Sequence, residues 1–193
     1  MNARSLLLLL LSALFLPCCN LVTVKTPAGD RPASLSAEAI EGKWRGPGNI
    51  SGSIKIKDAE KSIVEIQTTS EDGKVEKAEY EIRELGDRLV ATLRDDDKQD
   101  RWFFRIAVGE ECLSFFAPDY ARIKAAVESG KIAGTIIKPQ KEQDEIGWES
   151  VKLERFGLEE AEKAGGVLAC FDPDPTGVLI REAKPSKKGK SRK

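Results

Sequence analysis

The chain has 193 residues, 40% of them apolar and 33% charged, with 31 lysines and arginines against 32 aspartates and glutamates. That length suits one domain with tails, and the composition is too apolar for a disordered protein and too interrupted for a polytopic membrane protein. Histidine is absent, which excludes Ser-His-Asp and Cys-His catalysis, imidazole acid–base chemistry and histidine metal sites.

The first 18 residues hold one base, Arg4, and no acid. Six leucines at 6–11 continue into Ser12-Ala13-Leu14-Phe15-Leu16, an apolar run too short to cross a bilayer, which takes about 20 residues. A basic start, an apolar middle and a cleavage region make residues 1–18 an expected secretory signal peptide. The cleavage region, Leu16-Pro17-Cys18-Cys19, resembles the lipobox of bacterial lipoproteins, with an aliphatic residue three positions before the modified cysteine and a small residue directly before it. Cys19 fits with Leu16 and Cys18 in those places; Cys18 is the second choice, because it puts Pro17 beside the cut. The expectation is an exported protein held on a bacterial membrane through lipid, on the periplasmic or cell-surface side. Residues 19–40, rich in Thr, Pro, Gly, Ser and Ala without periodicity, read as the lipid-anchored tether.

From residue 41 the pattern changes to short alternating or β-branched segments divided by turn signals. Strands are expected at 53–57, 62–69, 75–85, 88–94, 101–108 and 111–116, with turns at Asp72-Gly73, Gly86-Asp87, Asp95-Asp96-Asp97 and Gly109-Glu110. Strands this closely joined pair as antiparallel neighbours, since parallel pairing needs crossovers of a dozen or more residues. A helix is expected from Asp119 to about Ser129, with Tyr120, Ile123 and Val127 on one stripe and Gly130 as the stop. A second, short helix spans 158–164, and further strands are expected at 132–138, 149–156, 166–171 and 177–181. The fold class is mostly β: an antiparallel barrel or strongly curved sheet over residues 41–183 with two short helices; the alternative is an open α+β sheet. Residues 184–193 carry six bases and no acid and form a basic tail. The remaining middle carries 24 bases against 32 acids, a net charge of −8, which argues against nucleic acid as a partner.

Gly42-Lys43-Trp44 opens the first strand of the body, and this Gly-x-Trp resembles the first signature of the lipocalins, in which the Trp closes the bottom of the barrel. Lipocalins set an arginine from late in the chain beside that Trp. The resemblance assigns the role to Arg155, which precedes the 158–164 helix. Pro118-Asp119-Tyr120 echoes the middle lipocalin signature but reads more naturally as a helix start. A longer stretch, 79–93 with 101–116, the helix from Asp119 and Arg155-Phe156-Gly157-Leu158-Glu159-Glu160, resembles small exported bacterial lipoproteins of unknown function. It covers residues 41–165 and implies location and fold, with no activity to carry over.

Cys112 and Cys170 are the cysteines outside the signal region, and either form a disulfide or stay as separate buried thiols. Asp172-Pro173-Asp174-Pro175-Thr176-Gly177 resembles the opening of a calcium loop, but Ala183 stands where the bidentate glutamate belongs, so it reads as a turn. No metal site and no cofactor are expected. Carboxylates are abundant, including Glu110-Glu111 and Glu159-Glu160, but solubility and helix dipoles account for them. No phosphate loop or nucleophile elbow is present. A carboxylate-based enzyme is therefore the weakest reading. The favoured one is binding, either of a small apolar ligand inside the barrel or of an envelope protein. A structural or assembly interaction module is the competing class. Tyr80, Ile82, Leu89, Leu93, Trp102, Phe104 and Ile106 fall in phase on one apolar face and are the expected lining of a partial pocket, on the scale of about 300–1,000 Å³ for small-molecule sites.

Overall fold

Between residues 42 and 116 seven strands follow one another as antiparallel neighbours, and a strand at residues 177–181 joins the last to the first to close the wall. The computed structural model describes residues 21–47, 50–69, 73–94, 100–138 and 149–182. The expected signal peptide, Cys18 and Cys19, the 95–97 turn and the basic tail lie outside these residues. In chain order the elements are β1 (Leu21–Val24), β2 (Arg31–Pro32), the one-turn helix α1 (Ala37–Ile40), β3 (Gly42–Arg45), β4 (Ser51–Asp58), β5 (Ile63–Thr69), β6 (Val75–Leu85), β7 (Arg88–Arg94), β8 (Arg101–Val108), β9 (Cys112–Phe116), α2 (Tyr120–Glu128), β10 (Gly134–Ile137), β11 (Ser150–Leu153), α3 (Leu158–Lys163), a 3₁₀ turn (Leu168–Cys170) and β12 (Gly177–Arg181).

Eight antiparallel strands close on themselves in the order β3-β4-β5-β6-β7-β8-β9-β12, with β12 pairing both β9 and β3. This is a lipocalin-like barrel, and closure leaves the barrel wall itself without the exposed sheet edges that invite aggregation. Alternation then sorts the side chains. Tyr80, Ile82, Ala91, Phe104 and Ile106 point inward with Trp44, Ile54, Val64 and Leu113. Their odd-phase neighbours Leu85, Val90 and Phe103 point outward into a second core.

That second core exists because β8 is shared. Its residues 105–108 pair with β9, while 101–102 pair with β1. β1 in turn pairs in parallel with β11, and β11 with β10, so a three-stranded flap leaves the barrel wall. Under it, Phe103, Phe156 and Phe171 meet at centroid distances of 5.2–6.2 Å, against Ile123 and Ala126 of α2 and Ala161 of α3. Fully burying each such large side chain is worth about 1.5–3 kcal/mol.

Helix α2 forms as its sequence dictates: the Asp119 carboxylate accepts from Arg122 N (2.9 Å), and Gly130 at φ +72 stops it. Helix α3 has glycine at its cap position. Its first amides are satisfied by carboxylates instead: Asp30 Oδ1 accepts from Leu158 N (3.0 Å), and Glu160 Oε2, within the helix, accepts from Gly157 N (3.0 Å).

Two expectations are corrected. Most of residues 19–40 is not a tether. From Leu21 onward it is built into the fold as β1, β2 and α1, with Val22, Val24, Ala28, Ala33 and Ile40 all buried. Asp30 N donates to Glu84 O (2.7 Å), Ala33 N to Ile82 O (3.1 Å) and Ala28 N to Thr92 Oγ1 (3.0 Å), strapping it across β6 and β7. Gly29, at φ +95, lets the strap lie this close, since a Cβ there would meet Arg83 Cβ at 2.7 Å and Val90 Cγ2 at 2.9 Å. The segment 166–171, expected as a strand, is a 3₁₀ turn that plugs the outer core with Cys170 and Phe171.

Candidate functional site

The barrel interior is filled. The void found among its described residues is about 20 Å³, bounded by Ile40, Ile54, Val64, Ile66, Tyr80, Ile82, Ala91, Phe104, Leu113 and Phe115. A void of about 10–15 Å³ already holds one water, so this one holds no lipid or drug-sized molecule. Phe104 contributes to the filling: its ring, on β8, lies 5.7 Å from Tyr80 of β6 and 5.9 Å from Phe115 of the neighbouring β9, centroid to centroid. Burial raises the pKa of the Tyr80 phenol, which stays neutral.

The expected lining is thus a core. Tyr80, Ile82, Phe104 and Ile106 are buried inside the barrel, with Leu89 and Leu93 packed against them. Trp102 does not join them and is half-buried. It keeps the alternation of its strand, but at residue 102 β8 has left β9 and pairs with Thr23 of β1, beyond the lumen.

Trp44 is buried under an arginine at one end of the barrel wall, and that arginine is Arg181, not the expected Arg155. Trp44 is 1% exposed and donates from Nε1 to Ile40 O (3.0 Å). The Arg181 guanidinium stacks 4.4 Å from the indole centroid, donates from Nη1 to Glu41 O (3.0 Å) and bonds Ala39 O through Nη2. One side chain therefore covers the Trp and neutralises the last carbonyls of α1. Strand pairing sets this up, because Arg181 of β12 lies directly opposite Trp44 of β3. Arg155 follows β11, outside the barrel, where Glu160 Oε1 (2.7 Å) and Glu159 Oε2 (2.8 Å) hold its guanidinium. The Glu159-Glu160 pair is thereby explained as structural.

Around the Trp44 end lies an open groove of about 810 Å³ lined by Ser36, Glu38, Ala39, Val108, Gly109, Glu110, Glu111, Arg181 and Glu182. Four carboxylates against one guanidinium make it acidic, and Arg45 pairs with Glu182 at 3.4 Å. Sequence reasoning singled out Glu110-Glu111 but missed Glu38 and Glu182, which reach the same groove from α1 and from the end of β12. The groove offers charge and hydrogen-bond acceptors to a surface laid against it.

The possible disulfide is not formed: Cys112 and Cys170 are both free thiols. Cys112 is exposed at the start of β9. Cys170 lies beyond its far end, where its carbonyl accepts from Asp119 N (2.8 Å). Five strand residues at about 3.3 Å each keep the sulfurs well beyond bonding reach. Burial pushes the Cys170 thiol up to about 11. The 172–177 segment is a turn into β12, and burial beside Asp119 and Asp174 raises the Asp172 carboxyl above its ordinary value. Among the described residues no group of three or more Cys, Asp or Glu side chains is arranged to hold a metal.

Compared with known proteins, the chain matches no family model, no curated protein and no solved structure. The likeness to lipocalins therefore rests on the eight-stranded closure and the Trp44–Arg181 stack.

Proposed function

We propose that this protein is an exported envelope lipoprotein, lipidated on Cys19, whose lipocalin-like barrel works as a non-catalytic interaction module for a protein partner. The observation that carries the choice of module over carrier is the filled lumen, about 20 Å³ against the roughly 300–1,000 Å³ of small-molecule sites. The acidic groove at the Trp44 end is the face offered to the partner, and its Glu38, Glu110, Glu111 and Glu182 select basic side chains. The Leu6–Leu16 apolar run and Leu16-Pro17-Cys18-Cys19 support the anchor.

A fluorescent fatty acid titrated into the mature protein is expected to give no saturable signal; saturable binding displaced by lipid overturns the module in favour of a carrier. Photo-crosslinking from position 111 on intact membranes is expected to trap one discrete adduct that Glu38→Gln with Glu110→Gln abolishes. Cys19→Ala is expected to leave the precursor uncut or the protein free of membrane. An unmodified amino terminus on the mature wild-type protein, read by intact mass, overturns the anchor.

A further inference from the structure

We propose that the barrel is held against the membrane on one defined edge, the start of β1 with the end of β10, and that no spacer separates anchor from fold. This rests on the lipidation of Cys19 proposed above. Only Asn20 stands between Cys19 and Leu21, so their Cα atoms are at most about 7 Å apart. Leu21 begins a strand that is paired on both sides, with β11 through all four residues and with β8 through Thr23 and Val24. Val22 and Val24 are 4% and 0% exposed, and Lys25 N donates to Leu153 O (3.0 Å) just past the strand. Such a strand does not pay out as a leash. Acyl chains on Cys19 therefore bring the folded body itself to the headgroups.

The surface at that point suits a bilayer. Leu21, Ser150 and Ile137 are register partners across β1, β11 and β10, so three strand ends meet on one line. Ile137 is exposed there at 37%, and Lys138 beside it is exposed. Among the described residues at the end of β11 the acid is Glu149, and it is already compensated: its carboxylate accepts from Tyr120 Oη (2.6 Å) and Lys124 Nζ (2.7 Å). These groups hold its carboxyl below the ordinary range. An exposed isoleucine and lysine, with the neighbouring carboxylate compensated, match the apolar and anionic character of a phospholipid surface.

The test uses full-length mature protein in phosphatidylethanolamine–phosphatidylglycerol vesicles containing a nitroxide-headgroup lipid. A fluorophore is placed on Thr135→Cys, near this edge, or on Lys55→Cys, four strands round the barrel from β8, both in a Cys112→Ser background. Quenching at 135 is expected to exceed that at 55 several-fold. Inserting ten Gly-Ser residues between Asn20 and Leu21 is expected to erase the contrast while the protein stays membrane-bound. Equal quenching at the two positions in a bound protein overturns the edge assignment and leaves the anchor standing. A contrast that survives the insertion overturns the role given to the missing spacer. A protein that carries no lipid and stays off the vesicles overturns both this inference and the reading it rests on.

Discussion

Replacing Arg181 with alanine removes three interactions at once. Its guanidinium stacks on Trp44 and donates to Glu41 O and Ala39 O, carbonyls that α1 leaves without partners when it ends. A cation–π contact contributes about 0.5–2 kcal/mol, and a hydrogen bond from a charged donor contributes about 1.5–3 kcal/mol net. The three share one side chain that is only half-buried, so they do not sum, and the expected loss is about 3 kcal/mol. For a domain of this size that lowers Tm by about 6–12 °C. Arg181→Lys keeps the charge but not the fork, and should recover less than half of the loss. Urea denaturation followed by circular dichroism measures each variant beside Lys25→Ala, whose ion pair with Glu154 is exposed at both ends and should change the midpoint little. If Arg181→Ala costs no more than Lys25→Ala, the closing role assigned to Arg181 is wrong.

Phe104→Ala should cost about 3–5 kcal/mol and open the lumen enough for a benzene-sized molecule, so that a hydrophobic dye binds the variant and not the wild type; dye binding to both would contradict a filled barrel. With a thiol reagent under native conditions Cys112 should react at once and Cys170 only on unfolding, and loss of both free thiols would point to a disulfide after all. Glu149 has a depressed carboxyl pKa, chiefly through its bond from Lys124, so its contribution is present above the unfolded carboxyl value near 4.3 and is lost as pH falls through the folded value. Glu149→Gln should therefore flatten the acid limb of stability below about pH 5, and identical urea midpoints through that limb in both proteins would refute this.

Most of the barrel was legible in the sequence, because a strand buried on one face writes its environment with a period of two. Residues 75–94 and 101–108 show that alternation plainly, and turns at Asp72-Gly73, Gly86-Asp87 and Gly109-Glu110 force antiparallel neighbours. The Asp119 cap and Gly130 stop marked α2 for the same reason: each acts within one turn of chain. What failed was whatever depended on a distant partner. Leu21-Val22-Thr23-Val24 is too short to announce itself, and it is a strand because β8 and β11 flank it. Trp102 obeys the alternation of its strand yet misses the lumen, since its neighbour there is β1 and not β9. The arginine beside Trp44 could not be chosen from order along the chain, as Arg155 and Arg181 both come late; the antiparallel register of β12 on β3 decided it. Hollow or filled was likewise beyond composition. Alternation tells which side chains face inward, but whether they touch depends on the closure to eight strands, whose interior is just large enough for side chains to fill, as the rings of Phe104, Tyr80 and Phe115 do from β8, β6 and β9.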